Sequence, residues 1–312
     1  MEDFLFSLNT VLPLLLLMTA GFICRRIGLL NEMLVTGVNQ LVFRVFLPFN
    51  LCTSVMNTPY DIVMPWDAFL YVTIGLLAEF ALLFLLAPKL EKDRTKVGVM
   101  IQGMGRANYA FFGIPLVAML FPGQDTSLAS LLVVTAVPIY NIMSVIALSV
   151  YGEGKIRPGV IVLKILKNPL IISSAIGYLF WSLHFQPPAF LKTTMSDLSK
   201  VATPLALFTL GGAIKFASAR NHIRQLLIII PWRLVLAPLA AILVGALLGI
   251  RGVPMACAFI AFGAPTAVSS YPMAQQMGGD GELAAEIVAV SSTLCIATTF
   301  LFVFMMKSMA LI

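Results

Sequence analysis

Apolar runs of about twenty residues recur along this chain, and the gaps between them are short and polar. A hydrocarbon core of about 30 Å takes about 20 helical residues, so the runs set the class of structure before any motif is read. Of 312 residues, 60% are hydrophobic and 11% charged, against about 45–50% and about 25% in an ordinary globular domain. So few charges cannot cover so much apolar side chain in water. Soluble enzyme, nucleic-acid binder and disordered chain are excluded, and a polytopic all-α membrane protein is what remains.

The runs predict ten spans, at 4–24, 34–56, 66–87, 97–121, 127–151, 168–184, 201–217, 225–249, 253–276 and 282–306. The stretch 186–200, opening with Pro187 and Pro188, reads as an interfacial loop or short helix. The first run is expected to be an uncleaved helix rather than a signal peptide, since Glu2 and Asp3 precede it and not a basic stretch. The net charge of +6 belongs to topology. Thirteen basic residues, among them Arg25, Arg26, Lys89, Arg94, Lys155, Lys164, Lys215 and Arg220, fall in alternate gaps; four fall on the other side. The positive-inside rule then places both termini outside the cytoplasm of a cell-membrane protein. Cys24, Cys52, Cys257 and Cys295 stand apart within apolar runs, and His184 and His222 form no ligand cluster. No metal or other cofactor is expected.

Two halves of the chain correspond at an offset of about 156 residues. Pro13 meets Pro169, Gly21 meets Gly177, Pro48 meets Pro204 and Pro115 meets Pro272. GIPLVAMLFPGQDTSLAS (113–130) runs parallel to SYPMAQQMGGDGELAA (270–285). With five spans in each half, residues 1–156 and 157–312 are expected to be inverted repeats, an arrangement found in secondary transporters.

The fourth and ninth runs carry helix breakers at matched places. The fourth holds Gly105, Arg106, Asn108, Gly113 and Pro115; the ninth holds Gly263, Pro265, Thr266, Ser269, Ser270 and Pro272. In lipid, backbone groups freed by Gly and Pro are tolerated only where they find partners or line a cavity. Paired interruptions therefore mark a candidate binding site, with half-helix ends offering dipoles to an ion. Kinks at close helix packing are the plainer explanation of any single proline.

At these residues the chain resembles the auxin efflux carrier family. RANYAFFGIPL (106–116) is similar to that family's PNTxxxGIPL pattern, with Ala107 in place of its proline. VNQLVFRVFLP (38–48), NTPY (57–60), and Pro265 with the PMAQQ stretch carry further likeness. The long cytoplasmic loop of plant members is missing, which fits a bacterial relative. The resemblance implies a fold like that of the bile acid–sodium symporters. Helices 4 and 9 would be broken and cross at the membrane centre. Helices 1, 2, 6 and 7 would form a scaffold, and helices 3–5 and 8–10 a mobile transport domain. It implies small organic anions as substrates, homodimers through the scaffold, and a site at Asn108 and around Pro265.

Charged and amide residues inside apolar runs need a reason. Arg106 lies about 15 Å deep at 1.5 Å per residue, either as an anion anchor or in a structural ion pair. Glu79 lies at similar depth on the preceding span, open to a pair with Arg106, as counterion or proton site. Arg44 is expected to snorkel, Arg233 to sit nearer a border in a structural role, and Asn50 and Asn141 to face the cavity or bridge helices. The expected activity is secondary transport of a small carboxylate, such as malonate, malate or an auxin-like acid, by an elevator-type movement. The coupling ion, proton or sodium, stays open. A sodium-coupled symporter and a receptor that kept the carrier fold are the rivals. No acid pair or Ser–His set shares a depth, so an enzyme is not expected.

Overall fold

The structure, a computed structural model, describes residues 2–57, 66–122, 124, 126–152, 166–213 and 222–312. Thr58, Pro59 and Tyr60 of the NTPY stretch, Asp125, and the basic residues Lys155, Arg157, Lys164, Lys215 and Arg220 lie outside the described residues. The described residues form twelve helices. They are α1 (Glu2–Arg26), α2 (Glu32–Met56), α3 (Trp66–Leu90), α4 (Arg94–Gly105), α5 (Ile114–Leu120), α6 (Ser127–Tyr151), α7 (Pro169–Ser182), α8 (Ala189–Ala213), α9 (Ile223–Leu247), α10 (Val253–Gly263), α11 (Ser270–Gln276) and α12 (Gly281–Ser308).

Ten spans in two inverted five-helix repeats are not what this structure carries. Among the described residues, five helices are long and apolar enough to cross a membrane: α2, α3, α6, α9 and α12. The run read as 97–121 divides into a 12-residue α4 and a 7-residue α5, and the run 253–276 into an 11-residue α10 and a 7-residue α11. The run 168–184 yields only the 14 residues of α7. Helix α8 begins within the stretch read as an interfacial segment, so it carries Lys192, Asp197 and Lys200 in its first half. Apolar content along the sequence does not register where glycine and proline cut a run, nor where a helix extends into polar sequence.

Helix starts follow local chemistry. Asn31, Asp93, Asn168 and Asp280 cap α2, α4, α7 and α12, each side-chain oxygen accepting from a backbone N–H of the first turn. Three π turns occur, at Val42–Phe46 within α2, Tyr109–Gly113 before α5 and Trp232–Leu236 within α9. Each is followed two residues later by a proline: Pro48, Pro115 and Pro238. A proline cannot return the i−4 hydrogen bond. The chain takes in an extra residue instead, with Leu47 N–H donating to Val42 and Ala237 N–H to Trp232.

Two packing groups result. Helices α1, α2, α7 and α8 pack mainly on one another, while α3, α4, α6, α9 and α10 form the second group; α12 packs on both, against α1 and against α4 and α9. Helices α1 and α8 touch backbone to backbone. A Cβ on Gly211 would stand 1.9 Å from the Met18 carbonyl oxygen, and one on Gly21 would stand 1.8 Å from that of Phe208. Small residues allow such contact between helices in lipid.

Candidate functional site

Helix α4 ends at Gly105 and α10 at Gly263, where close neighbours leave no room for a side chain. A Cβ at Gly105 would meet the Phe80 ring at 2.7 Å, and one at Gly263 would meet Pro238 at 2.8 Å. Beyond them the backbone turns extended at Arg106 and Ala264. The two extended stretches lie antiparallel, bridged at Ala107 and Thr266. Asn108 N–H donates to the Pro265 carbonyl at 2.8 Å, and Ala267 N–H to the Arg106 carbonyl at 3.2 Å. Each interruption therefore satisfies backbone groups freed by the other.

The carbonyl ends of α4 and α10 meet a single cation. Arg233, fully buried on the π turn of α9, donates from Nε to Ala264 at 2.8 Å, from Nη1 to Met104 at 3.1 Å and from Nη2 to Ala261 at 3.0 Å. Thr266 Oγ1 donates to the Gly103 carbonyl, and the Tyr140 hydroxyl to Ala261, both at 2.8 Å. A planar guanidinium with five donors suits three carbonyls at two helix C-termini, where the dipole favours positive charge. Glu79 interacts electrostatically with Arg233, and its Oε1 accepts from Trp232 Nε1 at 3.1 Å.

Arg106 points elsewhere. Its Nη2 donates to Asn141 Oδ1 and Ser269 Oγ, both at 2.7 Å, and Nη1 lies 2.8 Å from the Met273 sulfur. The Glu79–Arg106 pair that similar depths left open is not formed. Arg106 lies past the end of α4 in extended backbone, where depth counted along a helix no longer gives the direction of a side chain. Arg233, read as a border residue, stands at the meeting of the two breaks. The sequence signal for it was its place as one of three basic residues inside apolar runs, beside Pro231. The third, Arg44, is exposed on the π turn of α2.

Against these breaks lies a polar cavity of about 180 Å³, lined by Asn108 and Ser269 on one side and by Asn50, Ser54 and Thr203 of α2 and α8 on the other. Asn50 Nδ2 donates to Ser199 Oγ at 3.2 Å, tying α2 to α8. Thr266 and Ser270 are buried away from this cavity. Pro265 contributes its carbonyl, Pro272 is buried within α11, Gly113 closes a π turn, and Pro115 opens α5. Asn39 Nδ2 donates to Gln275 Oε1 at 2.8 Å while Thr209 donates to Asn39 Oδ1 at 2.7 Å, a further link between α2, α8 and α11. Sequence reasoning missed this link, since isolated amides carry no spacing signal.

Comparison with known proteins agrees with a membrane carrier. Residues 6–303 match the family described as membrane transport protein. The chain is 25% identical over 310 residues to the "Putative malonate transporter" of Rhizobium meliloti (strain 1021), covering 96% of each chain. It is 22% identical over 300 residues to an "Uncharacterized transporter" of Methanothermobacter thermautotrophicus, covering 95% of this chain and 97% of the other. With nearly its whole length matched, and with two interrupted helices meeting at a polar cavity, this chain belongs to the membrane transport protein family.

Proposed function

We propose that this transporter carries small organic anions, carboxylates of the malonate type, by alternating access. One observation carries the reading. Arg106 is 3% exposed and held by an amide, a hydroxyl and a thioether, with no acid partner among the described residues. A buried cation without a counter-charge is costly. Ser269, which holds its Nη2, lines the polar cavity. An anion there supplies the missing charge, with Asn50, Ser54, Asn108 and Thr203 as neutral hydrogen-bonding groups. The volume of about 180 Å³ lies below the about 300–1,000 Å³ of pockets for drug-sized ligands, and supports a cargo of a few carbon atoms. The relative named for malonate supports the same class.

The cavity lies between the two packing groups, which supports an elevator-type movement. Helices α1, α2, α7 and α8 are the frame and the site of homodimer contact; α3–α6 and α9–α12 carry Asn108, Arg106 and Ser269 across. The likeness of RANYAFFGIPL to auxin efflux carriers belongs to the same reading. The Ala261 and Ala264 carbonyls near Pro265 accept from Arg233, whose positive charge opposes a sodium ion there. That favours a sodium-independent carrier over a sodium symporter.

The test is thermal stabilisation of the purified protein by malonate, malate and the neutral analogue 1,3-propanediol, with and without sodium. A ligand stabilises by RT ln(1 + L/Kd), with L its free concentration, so the shift grows with the logarithm of its concentration over its dissociation constant. Dose-dependent stabilisation by a carboxylate, none by the diol, and at least tenfold weaker binding by Arg106→Gln, about 1.4 kcal/mol, are expected. Equal response to acid and diol, or unchanged affinity in a folded Arg106→Gln protein, overturns the reading.

A further inference from the structure

We propose a second anion site, reached through Asn141 beside Arg106, that takes an alkyl carboxylate from the lipid. The starting point is Asn141, 1% exposed on α6. Its Oδ1 accepts from Arg106 Nη2 at 2.7 Å. A guanidinium offers donors only, so the amide cannot be turned the other way. The Nδ2 group is thereby forced away from Arg106, and it has no hydrogen-bond partner. A buried donor left unmade is costly, and what it lacks is an acceptor.

Asn141 also lines a cavity of about 310 Å³ between α6 and α7, which shares no lining residue with the smaller polar cavity. Its walls are apolar, with Pro138 and Ile142 from α6 and Ile171, Ala175 and Tyr178 from α7. Ile142, Ala175 and Tyr178 are exposed, so the cavity opens sideways on the outer surface of α6 and α7. A ligand matching this surface has an apolar body and an acceptor head. The head lies beside a guanidinium with no acid partner among the described residues, which selects an anion over a neutral acceptor and rejects a cation. An alkyl carboxylate meets each condition, and the bilayer concentrates it at the opening.

Helices α6 and α7 belong to different packing groups. On the carrier reading, a molecule lodged between them hinders their relative movement and inhibits transport. That consequence rests on the carrier reading; the binding does not.

The probes are decanoate, decanol and decyltrimethylammonium, titrated by calorimetry into the purified protein, with malonate as a separate arm. Saturable decanoate binding is expected, at least tenfold tighter than decanol, with no binding of the ammonium. Ala175→Phe fills the cavity from α7 without replacing Arg106 or Asn141, and Ile142→Phe fills it from α6. Either variant, folded, should weaken decanoate at least tenfold and leave the malonate response as in the parent. Decanol binding as tightly as decanoate, or undiminished decanoate affinity in a folded variant, overturns the proposal. Failure of the malonate arm alone strikes the carrier reading and leaves this site standing.

Discussion

The backbone N–H of Asn108 donates to the carbonyl of Pro265 at 2.8 Å, so two helix breaks far apart in sequence are closed by one another. The bond uses only the backbone of Asn108, and its side chain is left to line the cavity. Asn108→Ala should therefore keep expression and melting temperature near the parent while lowering substrate uptake at least tenfold in proteoliposomes. Parent-like uptake would reduce Asn108 to packing.

Arg233 is the side chain on which both broken helices depend. Arg233→Gln removes a buried cation from three carbonyls and leaves Glu79 without its charge partner. Buried carbonyls left without their donor cost about 1–3 kcal/mol each, so the variant should melt far below the parent or fail to fold. Arg233→Lys keeps the charge but offers a single nitrogen in place of the fork, and should fall between. The double variant Glu79→Gln, Arg233→Gln should recover part of the loss over Arg233→Gln alone. Scanning calorimetry in detergent decides, and no recovery in the double variant would show that Glu79 is not its counter-charge.

The proposed site leaves Glu79 beside Arg233 and apart from the cargo. Glu79→Gln should leave the affinity for malonate within about twofold of the parent, whereas Arg106→Gln weakens it at least tenfold. Titration of both variants at one pH separates them. A Glu79→Gln protein with tighter binding would restore a competition between Glu79 and substrate for Arg106, which the contacts of Arg106 with Asn141, Ser269 and Met273 do not suggest.

What the sequence makes legible is uneven, for physical reasons. Glycine and proline act on the backbone locally, so the ends of α4 and α10 coincide with Gly105 and Gly263, and the three π turns stand before Pro48, Pro115 and Pro238. Hydropathy overreads the spans because it averages across such cuts; among the described residues five helices meet the length and composition of a span, against ten apolar runs. The direction of Arg106 depends on an extended backbone that helical periodicity does not describe. The role of Arg233 depends on carbonyls brought together from α4 and α10, and carbonyls leave no mark on a sequence.

The contact of α1 with α8 should be intolerant of the smallest addition. At Gly211 a Cβ would stand 1.9 Å from the Met18 carbonyl oxygen, and backbone cannot rotate away as a long side chain can. Overpacking commonly costs about 1–3 kcal/mol, so Gly211→Ala should lower the melting temperature, while Gly37→Ala, at a site with open space, should not. An equal effect of the two would remove close helix approach as the reason for Gly211.

Both ends of the chain are expected outside the cytoplasm, on the charge bias of the gaps between apolar runs. The described residues agree on one relation that bears on this. The starts of α4 and α12 are adjacent, since Asp280 N–H donates to the Thr95 carbonyl at 3.2 Å. The start of α4 is the basic end, with Arg94 and Lys96. Helix α12 then runs 28 residues away from that side, which carries Met309 to the opposite face. If basic residues face the cytoplasm, a cysteine at position 309 must react with an impermeant maleimide from outside in intact cells, and one at position 2 must do the same. Reaction at 309 only after the cytoplasmic side is opened would reverse the orientation of α4 with it, placing Arg94 and Lys96 outside and breaking the positive-inside assignment for the whole chain.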